Sequence, residues 1–170
     1  MSAVQKTEIR TAILTISDRG SRGERSDASG PRILSWLEDK PVRIVATALV
    51  ADDIPAISEQ LKAWTDGGGC DLLLTTGGTG VSPRDLTPEA TRTILDRVLP
   101  GYGELMRMKS LEKTPMAIIS RALAGIRGDC LIINLPGSPK AAIENLQAVW
   151  PAVAHTIEKI QGDDRDCGER

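Results

Sequence analysis

Phenylalanine is missing from this chain, and the aromatics come down to Trp36, Trp64, Trp150 and Tyr102. A platform of stacked rings for nucleic-acid bases is therefore not expected, and the core has to be built from Leu, Ile, Val and Ala. Histidine is scarcer still. His155 stands alone, in a helical pattern far from the glycine-rich loops, which argues against a Ser-His-Asp or Cys-His apparatus. The three cysteines, Cys70, Cys130 and Cys167, show no C-x-x-C pairing. Such a set suits a reducing cytosol better than a disulfide scaffold or a zinc site. Cys70 and Cys130 each open an apolar run and read as small buried hydrophobes. No apolar stretch approaches the roughly 20 residues of a membrane span, and Met1–Thr7 lacks the apolar segment of a signal peptide. A net charge of −2 gives no basic footprint, so neither nucleic acid nor a membrane is expected as partner, and the expected location is the cytoplasm.

What is present alternates. Thr11–Ile16 reads as a strand ending in Ser17-Asp18-Arg19, and the polar stretch from Gly20 to Ser29 reads as a loop. Pro31 fits the first turn of a helix carrying Ile33, Leu34 and Leu37. Val42–Val50 is a second strand, after which Asp52 or Asp53 can cap a helix with Ile54, Ile57, Leu61 and Trp64 on one stripe. Gly67-Gly68-Gly69 stops that helix. Leu72–Thr75 is a short, wholly apolar central strand leading into Gly77-Gly78-Thr79-Gly80. Thr87 and Pro88 are placed to cap and open the next helix, and Leu105–Leu111 is a further one. Ala117–Ile126 fits helix and strand alike. Cys130–Leu135 is the last strand, and Pro136-Gly137-Ser138-Pro139 turns it into a long helix. That helix directs Ile143, Leu146, Val149 or Trp150, Val153, Ile157 and Ile160 inward, and Pro151 should kink or split it. Alternation of this kind predicts an α/β fold with a mostly parallel sheet covered on both faces. One domain over 8–162 with a charged tail at 163–170 is the expected division.

In such a sheet, ligands lie beyond the carboxyl ends of the strands. Four elements meet that description. Thr75-Thr76-Gly77-Gly78-Thr79-Gly80, with Pro83-Arg84-Asp85-Leu86-Thr87-Pro88 behind it, offers backbone N–H groups to an anion. It is neither a Walker A loop nor G-x-G-x-x-G, and by its glycines alone it is equally a tight turn. Asp85 is a candidate acid or a first-turn charge favoured by a helix dipole. Asp52 and Asp53 close the second strand, and one capping and one functional aspartate is the preferred reading. Ser17-Asp18-Arg19 closes the first strand, where Arg19, Arg22 and Arg25 are phosphate clamps or solvated charges, and Asp18 a ligand or a cap. Asn134-Leu135-Pro136-Gly137-Ser138-Pro139 closes the last strand, offering helix N-terminal amides and the Ser138 hydroxyl to an anion, or only a tight turn. Together they imply a phosphate-rich ligand, a divalent metal between two carboxylates, and no protein nucleophile.

Ile16-Ser17-Asp18-Arg19 with Ser21, Gly23, Asp27, Ser29 and Gly30, then Thr75–Gly80, Pro83–Pro88 and Asn134–Pro139, resembles the bacterial molybdopterin adenylyltransferases of the MogA/MoaB type. The same domain is similar to the G domain of gephyrin. The likeness runs in order from Arg10 to Ile160. It implies a three-layer α/β/α domain, usually a homotrimer. It also implies transfer of AMP from ATP to the terminal phosphate of molybdopterin with release of pyrophosphate. Magnesium is the implied metal, on Asp52 and Asp85, which match the family's essential acids. Thr76, Gly77, Gly78, Thr79 and Gly80 are implied to hold nucleotide phosphate or adenine. Ser17, Asp18, Asn134, Pro136, Gly137 and Ser138 are implied to hold pterin or phosphate. A molybdenum insertase is the implied downstream partner. A non-catalytic molybdopterin carrier is the alternative.

Overall fold

The computed structural model describes residues 8–164, so Cys167 and most of the expected charged tail lie outside the described residues. The strands are β1 (Ile9–Ile16), β2 (Val42–Val50), β3 (Leu72–Thr76), β4 (Arg97–Val98), β5 (Ala124–Arg127) and β6 (Cys130–Leu135). They form one six-stranded sheet in the order β2-β1-β3-β6-β5-β4. β2, β1, β3 and β6 run parallel, and the β5–β4 edge is antiparallel. The helices are a single turn α1 (Asp18–Ser21), α2 (Ser29–Leu37), α3 (Ile54–Thr65), α4 (Thr87–Arg92), α5 (Pro100–Leu111) and α6 (Pro139–Ile160).

Alternation along the central strands builds a core on each face. Ile13, Leu72, Leu74, Leu131 and Ile133 point to one side, where Ile33 and Leu37 of α2, Met106 of α5 and Leu146 and Val153 of α6 cover them. Ala12, Leu14, Leu73 and Ile132 point to the other, under Ile57 and Leu61 of α3 and Ala90 of α4. Because both faces are covered, β3 and β6 are buried throughout and mostly apolar. This is a three-layer α/β/α fold. Trp36 and Trp150 meet edge to face at 5.2 Å where α2 and α6 touch. Among the described residues no helix is long and apolar enough to cross a membrane.

Several local expectations change. The ambiguous stretch 117–126 resolves into the end of a 3-10 turn, Pro115–Ile119, followed by β5. Pro151 does not split α6, which runs unbroken from Pro139 to Ile160. Both Pro151 and Gln147, whose carbonyl loses its helical partner, are exposed, so water can satisfy that carbonyl. Thr87 does not cap α4. The cap position falls on Leu86, and the Thr87 hydroxyl instead donates to the Gly77 carbonyl at 2.8 Å.

Candidate active site

β1, β2, β3 and β6 end on the same edge of the sheet, and the segments leaving them surround a cavity of about 530 Å³. Ser17, Asp18, Arg19, Arg25, Asp52, Gly77, Gly78, Asp85, Gly137 and Ser138 all line it. Asp52 and Asp85, on separate loops, therefore share one cleft.

The two adjacent aspartates after β2 divide their work. Asp53 caps α3, its Oδ2 accepting from the Ala56 N–H at 3.0 Å. Asp52 turns into the cleft, where its Oδ2 accepts from the Asp18 N–H at 2.8 Å. Asp18 answers with Oδ1, which accepts from the Asp52 N–H at 3.1 Å. The other Asp18 oxygen takes the Arg84 guanidinium at 2.8 and 2.5 Å. Burial pushes the Asp52 carboxyl above the ordinary carboxylate range, and the charges of Asp18 and Asp85 push the same way. Asp18 is held below that range by the Arg84 hydrogen bonds. Asp85 lies ahead of α4 and caps nothing there; its Oδ2 accepts from the Ser82 N–H at 2.8 Å.

The glycine loop is shaped by two close approaches. Gly77 has φ +106°, and a Cβ there would stand 2.2 Å from the Ile16 carbonyl oxygen. Gly78 has φ +64°, and its Cβ would meet the Thr87 hydroxyl at 2.4 Å and Asp52 Oδ1 at 3.0 Å. Only glycine fits both the dihedral and the space. The Thr76 hydroxyl donates to the Pro136 carbonyl at 2.7 Å, tying this loop to the turn that opens α6. Among the described residues, the N–H groups of Gly78, Gly137 and Ser138 make no backbone hydrogen bond, so they are available to an anion at the start of a 22-residue helix.

Other predicted residues stand elsewhere. Asn134 is fully buried, its amide donating to the Thr75 and Thr91 hydroxyls at 2.9 and 3.0 Å beneath α4. Thr76 is likewise buried as a tie between loops. Thr79, Gly80 and Pro136 border a neighbouring hollow of about 260 Å³ with Lys113 and Asn145. Ser17 and Ser138 line the cleft but also cap α1 and α6. Arg22 turns away to Glu24, with bonds of 2.7 and 3.0 Å on the surface, leaving Arg19 and Arg25 at the cleft. Three supporting residues had no assigned role in the sequence reading. Arg84 braces Asp18, Asp27 anchors the polar loop by accepting from the Thr15 hydroxyl at 2.6 Å, and Arg121 holds the glycine loop.

Among the described residues no group of three or more His, Cys, Asp or Glu side chains is arranged to hold a metal ion. One or two carboxylates can share a Mg²⁺ with a substrate's own phosphates. Asp52, raised by burial and by neighbouring negative charge, and Asp85 across the cleft fit that arrangement.

Known proteins share this sequence pattern and fold. The molybdopterin adenylyltransferase of Helicobacter pylori is 44% identical over 164 residues, covering 95% of this chain and 93% of that protein. The molybdopterin adenylyltransferase of Haemophilus influenzae is 45% identical over 153 residues, 89% of this chain and 78% of that protein. The crystal structure of the molybdopterin biosynthesis enzyme MoaB from Thermus thermophilus superposes with a TM-score of 0.86 at 52% identity, covering 91% of this chain and 98% of that one. The family model described as "Probable molybdopterin binding domain" matches residues 12–155. This chain belongs to the molybdopterin-binding domain family of molybdenum cofactor biosynthesis proteins.

Proposed function

We propose that this chain is a molybdopterin adenylyltransferase, a single domain over 8–162 that transfers AMP from ATP to the terminal phosphate of molybdopterin and releases pyrophosphate. The observation that carries this reading is the shared cleft, where Asp52 and Asp85 face the glycine loop and the N-terminus of α6. Two carboxylates beside two phosphorylated substrates would repel them unless a cation stands between. Bound Mg²⁺, held by Asp52 and Asp85, would neutralise phosphate charge and favour departure of pyrophosphate.

The chain's own groups supply positioning. A phosphate oxygen of molybdopterin forms a bond to the α-phosphorus of ATP as the bond from that phosphorus to the bridging oxygen breaks, and pyrophosphate leaves with the electron pair. No side chain has to become covalently attached, so in-line placement and charge stabilisation are what the site must provide. The N–H groups of Gly78, Gly137 and Ser138 face the anionic oxygens, and Arg19 and Arg25 border the same space. Asp18, neutralised on one side by Arg84, fixes the Asp52 backbone.

The protein works in the cytoplasm as a homotrimer and passes its product to a molybdenum insertase. Self-association is supported by exposed Met116, Ile118 and Ile119, at 66, 72 and 49%. The test is pyrophosphate release from ATP with purified chain, Mg²⁺ and molybdopterin. Release that depends on all three is expected. Tight molybdopterin binding without ATP turnover would replace this reading with a carrier role.

A further inference from the structure

The geometry points to Arg121 as a positioning residue that sets Asp85 against the glycine loop; this rests on the adenylyltransferase reading of the cleft. Arg121 lies between the 3-10 turn and β5, outside the cleft. Its backbone N–H donates to the Thr79 carbonyl at 2.9 Å. Its guanidinium then reaches three acceptors. Nε donates to the Gly80 carbonyl at 2.6 Å, Nη2 donates to the Asp85 carbonyl at 2.5 Å, and Nη1 pairs with the Glu89 carboxylate in α4. One side chain thus joins the loop after β3, the segment carrying Asp85 and the helix that follows.

Beyond Arg121, that segment is anchored at its far end by Thr87, whose N–H donates to the Gly78 carbonyl at 3.1 Å and whose hydroxyl donates to the Gly77 carbonyl at 2.8 Å, and less holds the turn before it. Residues 81–84 are exposed, with Val81 at 60%. Asp85 is otherwise fixed through Ser82, by Oδ2 to the Ser82 N–H and by its own N–H to the Ser82 carbonyl at 2.9 Å. Both bonds are local and travel with the turn. The Arg84–Asp18 pair is on the surface and open to screening. Clearance is small as well, since a Cβ at Gly80 would stand 2.8 Å from Asp85 Oδ2. With Thr87 fixing the far end, the turn that carries Asp85 is set against the glycine loop by a guanidinium bridging the Gly80 and Asp85 carbonyls. A planar fork with fixed donor directions suits that task, and a lysine ammonium, one point on a flexible stem, does not.

The experiment compares Arg121→Lys, Arg121→Ala and Glu89→Gln with the wild type, by pyrophosphate release and by amide hydrogen exchange. Arg121→Lys keeps the charge opposite Glu89 and loses the fork. Its kcat should fall roughly 100-fold, the scale of a small misplacement of reacting groups, with the loss in kcat rather than KM. Exchange should quicken at residues 79–89 and not in β1, β3 or β6. Glu89→Gln keeps both carbonyl bonds and should retain most activity. Methylguanidinium should restore turnover to Arg121→Ala through the cavity of about 400 Å³ that Arg121 borders on its outer side, where methylammonium should not. Wild-type activity in Arg121→Lys would overturn the assignment, as would quickened exchange across the whole sheet, which would make Arg121 a general support of the fold. A wild type that releases no pyrophosphate would remove the functional reading instead. The exchange pattern would then decide alone: quickening confined to 79–89 supports the holding role, and no change ends it.

Discussion

Asp18 and Asp52 each accept a hydrogen bond from the other's backbone N–H, at 2.8 Å in one direction and 3.1 Å in the other. The exchange joins the ends of two neighbouring parallel strands and brings two carboxylates to one side of the cleft. Arg84 gives its hydrogen bonds to Asp18 and reaches Asp52 only weakly, through space. Asp52 is left half-buried beside negative neighbours, which is costly in the free protein and suited to a cation.

Asp52→Asn should therefore abolish turnover, by at least roughly 100-fold, without weakening the fold. The sign follows from linkage. A carboxyl whose folded pKa is raised contributes stability in full below its unfolded pKa and loses it as pH rises through the folded value. The asparagine variant should gain stability relative to wild type as pH rises across that window, and then hold its lead. Urea unfolding at several pH values measures this, and a difference that does not vary with pH would refute it. Asp53→Ala is the matched control. It removes the α3 cap, costing about 1 kcal/mol, and should leave turnover intact.

Gly78 and Gly67 separate strain from crowding. Both have positive φ, at +64° and +87°, but a Cβ at Gly67 meets nothing within 4 Å, whereas one at Gly78 collides with Thr87 and crowds Asp52. Gly67→Ala should cost only the dihedral, roughly 1–2 kcal/mol, with full activity. Gly78→Ala should cost more and lose turnover, because the Thr87 hydroxyl that holds the loop has to move. Equal activity in the two variants would show that this approach has no bearing on the reaction.

Asn134 marks where sequence reading stopped. The bounds of β2 and β6 were legible, because β-rich runs bracketed by turn residues define strands, whether at the sheet edge as β2 or buried at its centre as β6. The four strand-end loops were legible too, since a parallel sheet places them on one edge. Choosing between Asp52 and Asp53 was not, because either can cap a helix one residue away. Nor was the two-residue β4, too short for any pattern, or Arg121, in a stretch that fitted two structures. Asn134 did carry a signal, for it shares the period-2 face of Cys130 and Ile132. That face lies under α4, away from the cleft. Asn134→Ala should destabilise by roughly 1–3 kcal/mol through the lost bonds to Thr75 and Thr91. KM for ATP and molybdopterin should stay unchanged in the fraction that folds, and a selective rise in either would return Asn134 to the ligand.

The opposite edge of the sheet provides the last prediction. Asp71 accepts from the Arg10 guanidinium at 3.0 and 2.6 Å, from the Arg10 N–H at 2.8 Å and from the Gln161 amide at 3.0 Å. Burial alone would raise its pKa, but the Arg10 hydrogen bonds outweigh burial, and the carboxyl is held below its ordinary value. A depressed pKa gives stability that is present above the unfolded value and is lost as pH falls through the folded one. Asp71→Asn should therefore be less stable than wild type at neutral pH, with the gap closing only in acid. The gap should be about 1–2 kcal/mol, at the low end for such a cluster, because the Arg10 side chain is 37% exposed and screened by water. Since this pair sits at the start of β1 and β3, the width of the sheet away from the cleft, kcat and KM should not change. A drop in turnover larger than the loss of folded protein would mean that the two edges of the sheet are coupled, and that the site is not set by its own loops alone.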